Sequence, residues 1–263
     1  MARLLVSVRS ADEACRAVEA GADIIDVKEP DNGSLGRADF SVWCQVRSAL
    51  PPTVPLSVAL GELSEWLGPT QPAPPADAWE GISYRKLGLA RAGLGWCQAW
   101  LDLRSRLGQG EKNPPWIAVA YADWKAAAAP DPNAILETAS VSPEIAGILI
   151  DTWAKTEPFR VDATWIAWVK RVRQAGLMLA VAGGLDRPAI PALAPLAPDV
   201  VAVRGAACLG GVRRAGIDPH RVADLARTVS ALPVLPDSPS LSSPQNQPGT
   251  SNLTPWASGR SAP

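Results

Sequence analysis

Histidine is all but missing from this sequence: His220 is the only one. Imidazole-based metal sites and Ser-His-Asp triads have very little to work with, so hydrolase and zinc-enzyme readings lose most of their basis, and no metal is expected. The four cysteines, Cys15, Cys44, Cys97 and Cys208, are scattered and form no CxxC pair, which argues against a disulfide framework or a structural zinc. Charge of one sign is not in excess. The formal net charge is −1 and the pI about 5.9, so no global basic field draws nucleic acid or an anionic membrane. No apolar run approaches the roughly 20 residues that a membrane span requires. The start, MARLLVSVRSADEA, is too short in its apolar part for a signal peptide, and the expected location is cytoplasmic. Acid–base and nucleophilic chemistry must then come from Lys, Asp, Glu, Tyr or Cys, and an anionic ligand must be held by a local site.

What is present is an alternation of strand and helix patterns. LLVSV (4–8), DIIDVK (23–28), PLSVAL (55–60), SYRKLGL (83–89), WIAVAY (116–121), AGILID (146–151), LMLAVAG (177–183) and DVVAVRG (199–205) read as eight strands. Ser10 with Glu13 has capping-box spacing at the first helix, and Gly21 is a natural stop. Further helical stretches fall at 41–50 and around 93–107, 131–140, 162–175 and 187–196. A last helix has Asp218 as N-cap and Pro219 in its first turn. Residues 61–80 contain four prolines, so a loop with a short helical turn is expected where a third helix would be. Eight strands separated by helices imply parallel pairing through βαβ crossovers. Closure as a single (β/α)₈ (TIM) barrel over 1–232 is the economical architecture, with an open doubly wound sheet as the alternative. No GxGxxG follows the first strand, which counts against a dinucleotide fold. From about 233 the chain turns rich in Pro and Ser, and 233–263 reads as a disordered tail.

Strand alternation then sorts the charged residues. On the second strand Asp26 and Lys28 share the inward face, on the fourth Tyr84 and Lys86 do, and Asp151 ends the sixth. All fall near strand C-termini, where active sites of this fold occur. Taken singly, each could belong to an internal ion network that only fills the barrel. As a set they offer a mechanism. A second cation and partial desolvation lower a lysine's pKa and free its amine to attack a carbonyl. AGG (182–184) follows the seventh strand and VRGAACLGG (203–211) the eighth. Small residues there let backbone N–H groups approach a ligand, and these two loops often bind phosphate in this fold. Gly183, Gly184 and Gly205 are therefore candidate binding positions, with Arg204 as a counter-charge whose direction alternation does not settle.

The stretches GADIIDVKEPDNGSLG (21–36), YRKLGL (84–89), AYAD (120–123), IDTWAK (150–155), AVAGGL (180–185) and VRGAACLGG (203–211) lie in order across nearly all of 1–232. In them the chain resembles the (5-formylfuran-3-yl)methyl phosphate synthase family of methanofuran biosynthesis. The first and last elements are the most specific. The resemblance implies a barrel lyase that joins two molecules of glyceraldehyde 3-phosphate, with loss of phosphate and water and no cofactor. It implies a Schiff base on Lys28, proton transfer by Lys86, and acid–base or orienting roles for Asp151 and Lys155. Tyr121 and Asp123, in its YAD stretch, become candidate substrate contacts together with Asp26. The expected partner is a small phosphorylated aldehyde; a homo-oligomer is left open. Arg85, where an apolar residue is usual, departs from the pattern and suggests an oligomer contact or an exposed patch. Cys208 reads as core, His220 as surface, and the eleven tryptophans as core and interface packing. Two other readings stay open: a different Schiff-base aldolase on triose or sugar phosphates, and a non-catalytic scaffold working through the tail.

Overall fold

A computed structural model describes residues 1–68, 72–108 and 113–233. Eight parallel strands follow one another in chain order: β1 (Arg3–Val8), β2 (Ile24–Val27), β3 (Leu56–Glu62), β4 (Tyr84–Gly88), β5 (Trp116–Tyr121), β6 (Ile145–Asp151), β7 (Met178–Val181) and β8 (Val200–Val203). β8 pairs with β1, Arg3 against Val200, so the sheet closes into a barrel. That closure rules out the open doubly wound sheet.

The crossovers carry α1 (Ala11–Glu19), α2 (Phe40–Ala49), α3 (Trp96–Arg106), α4 (Pro132–Ser140) and α5 (Ala163–Gln174), and α6 (Pro219–Ser230) follows β8. Between β3 and β4 only two 3₁₀ turns form, Leu63–Trp66 and Ala76–Trp79, as the prolines of that stretch dictate. The stretch expected to be helical before β8 is a 3₁₀ helix, Ile190–Leu196. Pro195 inside it removes a backbone donor, which favours short tight turns over an α-helix. The Pro/Ser-rich segment lies outside the described residues, Pro233 excepted. Among the described residues no helix is long and apolar enough to cross a membrane.

Alternation builds two apolar layers. Leu4, Val6, Ile25, Val27, Val58 and Leu60 face the helices. Leu5, Ile24, Ala59, Ile117, Val119 and Leu149 fill the barrel interior. Trp43, Trp100 and Trp116 are fully buried, and so is Cys208. Arg85 is a correction: it is neither a patch nor a contact between copies. It faces the helix layer at 1% exposure, stacked over Trp116 and Trp79. It donates to the carbonyls of Leu107 and Gly108 at 3.1 and 2.9 Å, carbonyls that the end of α3 leaves without helical partners. The start of α1 differs from a capping box too. Ser10 accepts the Glu13 N–H, but the Glu13 carboxylate turns to the N–H of Arg9 at 2.8 Å and to Arg204.

Candidate active site

The C-terminal mouth of the barrel holds a cavity of about 770 Å³, lined among others by Lys28, Lys86, Asp151 and Lys155 and by Gly183, Gly184 and Gly205. Strand register explains how residues far apart in sequence meet there. β1 and β2 align Ser7 with Asp26, and β5 and β6 align Tyr121 with Asp151.

Two ion pairs form the cavity floor. Asp26, fully buried, receives the Lys86 Nζ at 2.6 Å and the Ser7 hydroxyl at 2.9 Å. Asp151 pairs with Lys155 and accepts the Thr152 N–H at 2.8 Å and the Ser34 hydroxyl at 3.2 Å. Burial pushes the Asp151 carboxyl up, but Lys155, Lys28 and these hydrogen bonds outweigh it and hold it below the usual carboxylate value.

Lys28 follows directly on β2 and donates to the Ser34 carbonyl at 3.3 Å. It differs from the other two lysines: among the described residues no carboxylate lies within ion-pairing distance of its amine. Burial, then the Lys155 charge, lower its pKa from 10.5 to about 8, against the pull of Asp151 and Asp26, with Lys86 adding to the lowering. Lys155 approaches because the chain turns at that residue through a left-handed φ of 54°, a conformation uncommon outside glycine. Asp123 holds this turn, accepting the N–H groups of Trp153 and Ala154 at 2.7 and 2.9 Å.

The β2 loop that brings Ser34 inward depends on Gly36. The Glu29 N–H reaches the Gly36 carbonyl at 2.8 Å, and a side chain at Gly36 would place its Cβ 2.1 Å from the Glu29 carbonyl oxygen. The GSLG element is thus a shape requirement of the loop.

Two of the sequence-predicted contacts, Tyr121 and Asp123, sit away from the cavity, whereas Arg204 lines it with its donors already committed. Arg204 is 6% exposed, and all five of its N–H donors are used. They go to both Glu13 oxygens at 2.5 and 3.1 Å and to the carbonyls of Ser7, Arg213 and Ala215. A guanidinium so occupied has no donor left for a phosphate. Tyr121 is fully buried with its hydroxyl on Glu62 at 2.6 Å, and it does not line the cavity. Asp123 does not line it either, its carboxylate being spent on the Lys155 turn. Asp26, Gly183, Gly184 and Gly205 do line it.

Besides the three lysines and Arg204, the cavity is lined by Arg187, Arg213 and Arg221. Arg213 also spans to the β2 loop, donating to the Gly33 carbonyl at 3.2 Å. Sequence reasoning missed it and Ser34, because both sit on loops where strand alternation gives no direction. Their signals were the VRGAACLGG and GSLG elements themselves.

A family model described as 4-HFC-P synthase matches residues 4–226. The (5-formylfuran-3-yl)methyl phosphate synthase of Methanococcus maripaludis is 34% identical over 222 residues, 81% of this chain and 92% of its own. That of Methanopyrus kandleri is 32% identical over 87% of this chain and 99% of its own. Among solved structures, phosphoribosyl anthranilate isomerase from Thermus thermophilus superposes with a TM-score of 0.56 at 16% identity, covering 88% of this chain and 99% of its own. The 3-hexulose-6-phosphate synthase of Salmonella typhimurium gives 0.56 at 17%, over 87% and 98%. Both are likenesses of fold. With a matching model across most of its length and relatives above 30% identity, the chain belongs to the 4-HFC-P synthase family of enzymes.

Proposed function

We propose that this enzyme condenses two molecules of glyceraldehyde 3-phosphate through a Schiff base on Lys28 into (5-formylfuran-3-yl)methyl phosphate, as a step of methanofuran-type cofactor biosynthesis. The carbons of two trioses are all retained, and one phosphate and two waters leave. The observation that carries this reading is the contrast among the three lysines. Lys86 and Lys155 are each ion-paired with a carboxylate, Asp26 and Asp151. Lys28 is held near them without such a partner, its pKa brought to about 8.

The free Lys28 amine adds to the triose aldehyde and loses water to give the iminium. That cation is an electron sink, so a base can remove the proton on the neighbouring carbon. Asp151, kept ionised by Lys155 and Lys28, is suited to that removal. The enamine then expels phosphate or adds to the second carbonyl, and both events are needed for the product. Lys86, with Asp26 behind it, is suited to protonate departing oxygens during the dehydrations that make the ring aromatic. Arg187, Arg213 and Arg221, with the glycine loops after β7 and β8, supply the positive lining that a phosphorylated aldehyde requires. These steps use only amines and carboxylates of the chain.

Borohydride trapping with glyceraldehyde 3-phosphate, followed by peptide mass mapping, tests the reading. A reduced adduct on Lys28 that disappears in Lys28→Ala is the expected result. A folded wild type that traps nothing would overturn it. An adduct with an ordinary aldol product and no furan would retain the Schiff base and reassign the reaction.

A further inference from the structure

Beside the cavity lies a set of buried polar groups that the mechanism above leaves unused. The Ser34 hydroxyl donates to Asp151 and to the Thr152 carbonyl, both at 3.2 Å, and its side chain is also near enough to Tyr121 to act on the phenol. The Tyr121 hydroxyl donates to Glu62 Oε1 at 2.6 Å. Glu62 Oε2 accepts the Ala90 N–H at 2.8 Å. These groups lead from Asp151, at the cavity floor, to a half-buried carboxyl at the end of β3.

Glu62 reaches Tyr121 by a local irregularity. By plain alternation along β3, Ala59 faces inward and Leu60 outward, which would send Glu62 outward as well. The β3–β4 register shifts between Ala59 and Glu62 and sets Glu62 opposite Gly88. The carboxylate then lies across Gly88, where any Cβ would stand 2.1 Å from Glu62 Oε2. A bulge that re-aims a side chain near an active site is a recurrent device.

The surroundings of Glu62 raise its pKa. Burial raises its pKa, the Tyr121 and Ala90 hydrogen bonds lower it, and the Glu65 and Asp151 charges raise it again, with a net rise. Those two carboxylates, one from the turn after β3 and one from β6, are the charged groups that act on it. Asp151 is shifted the opposite way. Two carboxyls at the ends of one hydroxyl chain, one holding protons weakly and the other more tightly, define a direction for proton flow.

We propose that Ser34, Tyr121 and Glu62 form a proton relay that returns Asp151 to its ionised form after each proton abstraction. Glu62 and Tyr121 are positioning residues that never touch substrate. The inference rests on the reading of Asp151 as the base at the Lys28 adduct. Asp151, protonated by the substrate carbon, gives that proton to the Ser34 oxygen. Ser34 passes its own proton to the Tyr121 oxygen, and Tyr121 passes its own to Glu62. Each hydroxyl gains and loses one proton, the Glu62 carboxylate takes one proton and, being only half-buried, releases it to solvent before the next cycle, and nothing is oxidised or reduced.

The test compares Tyr121→Phe, Ser34→Ala and Glu62→Gln by steady-state kinetics and by trapping at Lys28. Glu62→Gln keeps an oxygen to accept the Tyr121 hydrogen bond but cannot take the proton. The expected result is a kcat lower by about a hundred-fold in all three, KM within about two-fold of wild type, and undiminished adduct on Lys28. Added formate is expected to restore kcat to Glu62→Ala in proportion to its concentration, which a packing role would not produce. Wild-type kcat in Glu62→Gln, or in both Tyr121→Phe and Ser34→Ala, would overturn the relay. Failure of the Schiff-base reading shows separately, as the absence of any adduct in the wild-type protein.

Discussion

If the Lys28 amine is tuned by its neighbours, removing two of them must move its titration in opposite directions. At pH 7 an amine with a pKa of 10.5 is about 0.03% free, whereas one near 8, as at Lys28, is about 9% free. The environment thus raises the reactive fraction by roughly 300-fold. Lys155 is the largest charge lowering this pKa and Asp151 the largest raising it. Lys155→Met keeps a stem of similar bulk and deletes the cation, so the onset of reactivity moves from about pH 8 toward 10.5. The loss at pH 7 is then bounded by that same roughly 300-fold. Asp151→Asn retains most of the shape and deletes the anion, so the onset moves below 8. Trace acetylation of the substrate-free protein from about pH 6 to 11, quantified on the peptide carrying Lys28, reads this without any need for turnover. A variant that merely disturbs the site would move both onsets alike. Equal onsets in both variants, or shifts of one sign, would refute the electrostatic argument for Lys28.

Three further outcomes follow from the same structure. Lys28 has a folded-state pKa below its unfolded value, so the unfolded chain binds more protons between about pH 8 and 10.5 and stability rises with pH across that window. Lys28→Met should be more heat-stable than wild type at pH 7, and the gap should close above about pH 10.5; thermal melts at several pH values decide it. Arg204→Lys replaces five used donors by three at a buried ion pair, so a loss of about 3–5 kcal/mol is expected and a Tm lower by roughly 10 °C. A KM change in Arg204→Lys without a stability change would contradict the assignment of Arg204 to the frame. Arg213→Met removes a cation from the cavity lining, so KM for the phosphorylated substrate should rise by about ten-fold or more while trapping at Lys28 persists at saturating substrate; an unchanged KM would remove Arg213 from the binding site.

The barrel was legible because its signals are local. Period-two apolar runs, capped helices and punctuating Gly and Pro repeat eight times, and each crossover is short enough that one arrangement accommodates them. Asp26, Lys86 and Asp151 were legible for the same reason: alternation along a strand fixes which way a side chain points. Lys28 was legible from the same alternation, whereas Lys155 came only from the resemblance, and the structure adds why it matters, since only three-dimensional proximity makes Lys155 a neighbour of Lys28.

Where alternation stops, the sequence alone stopped as well. Arg204 follows β8 and lines the cavity, yet Glu13, distant in the chain, takes up its guanidinium and ties it into the frame. Tyr121 has the inward direction that strand periodicity assigns, yet Glu62 lies beside it only because a bulge re-aims that carboxylate over Gly88. Asp123 looked like a substrate contact until the backbone N–H groups of the Lys155 turn claimed it. Strand direction is a property of consecutive residues and was determined by the sequence directly. Which buried charge meets which partner depends on register, loop path and barrel closure, and the tertiary structure alone decided that.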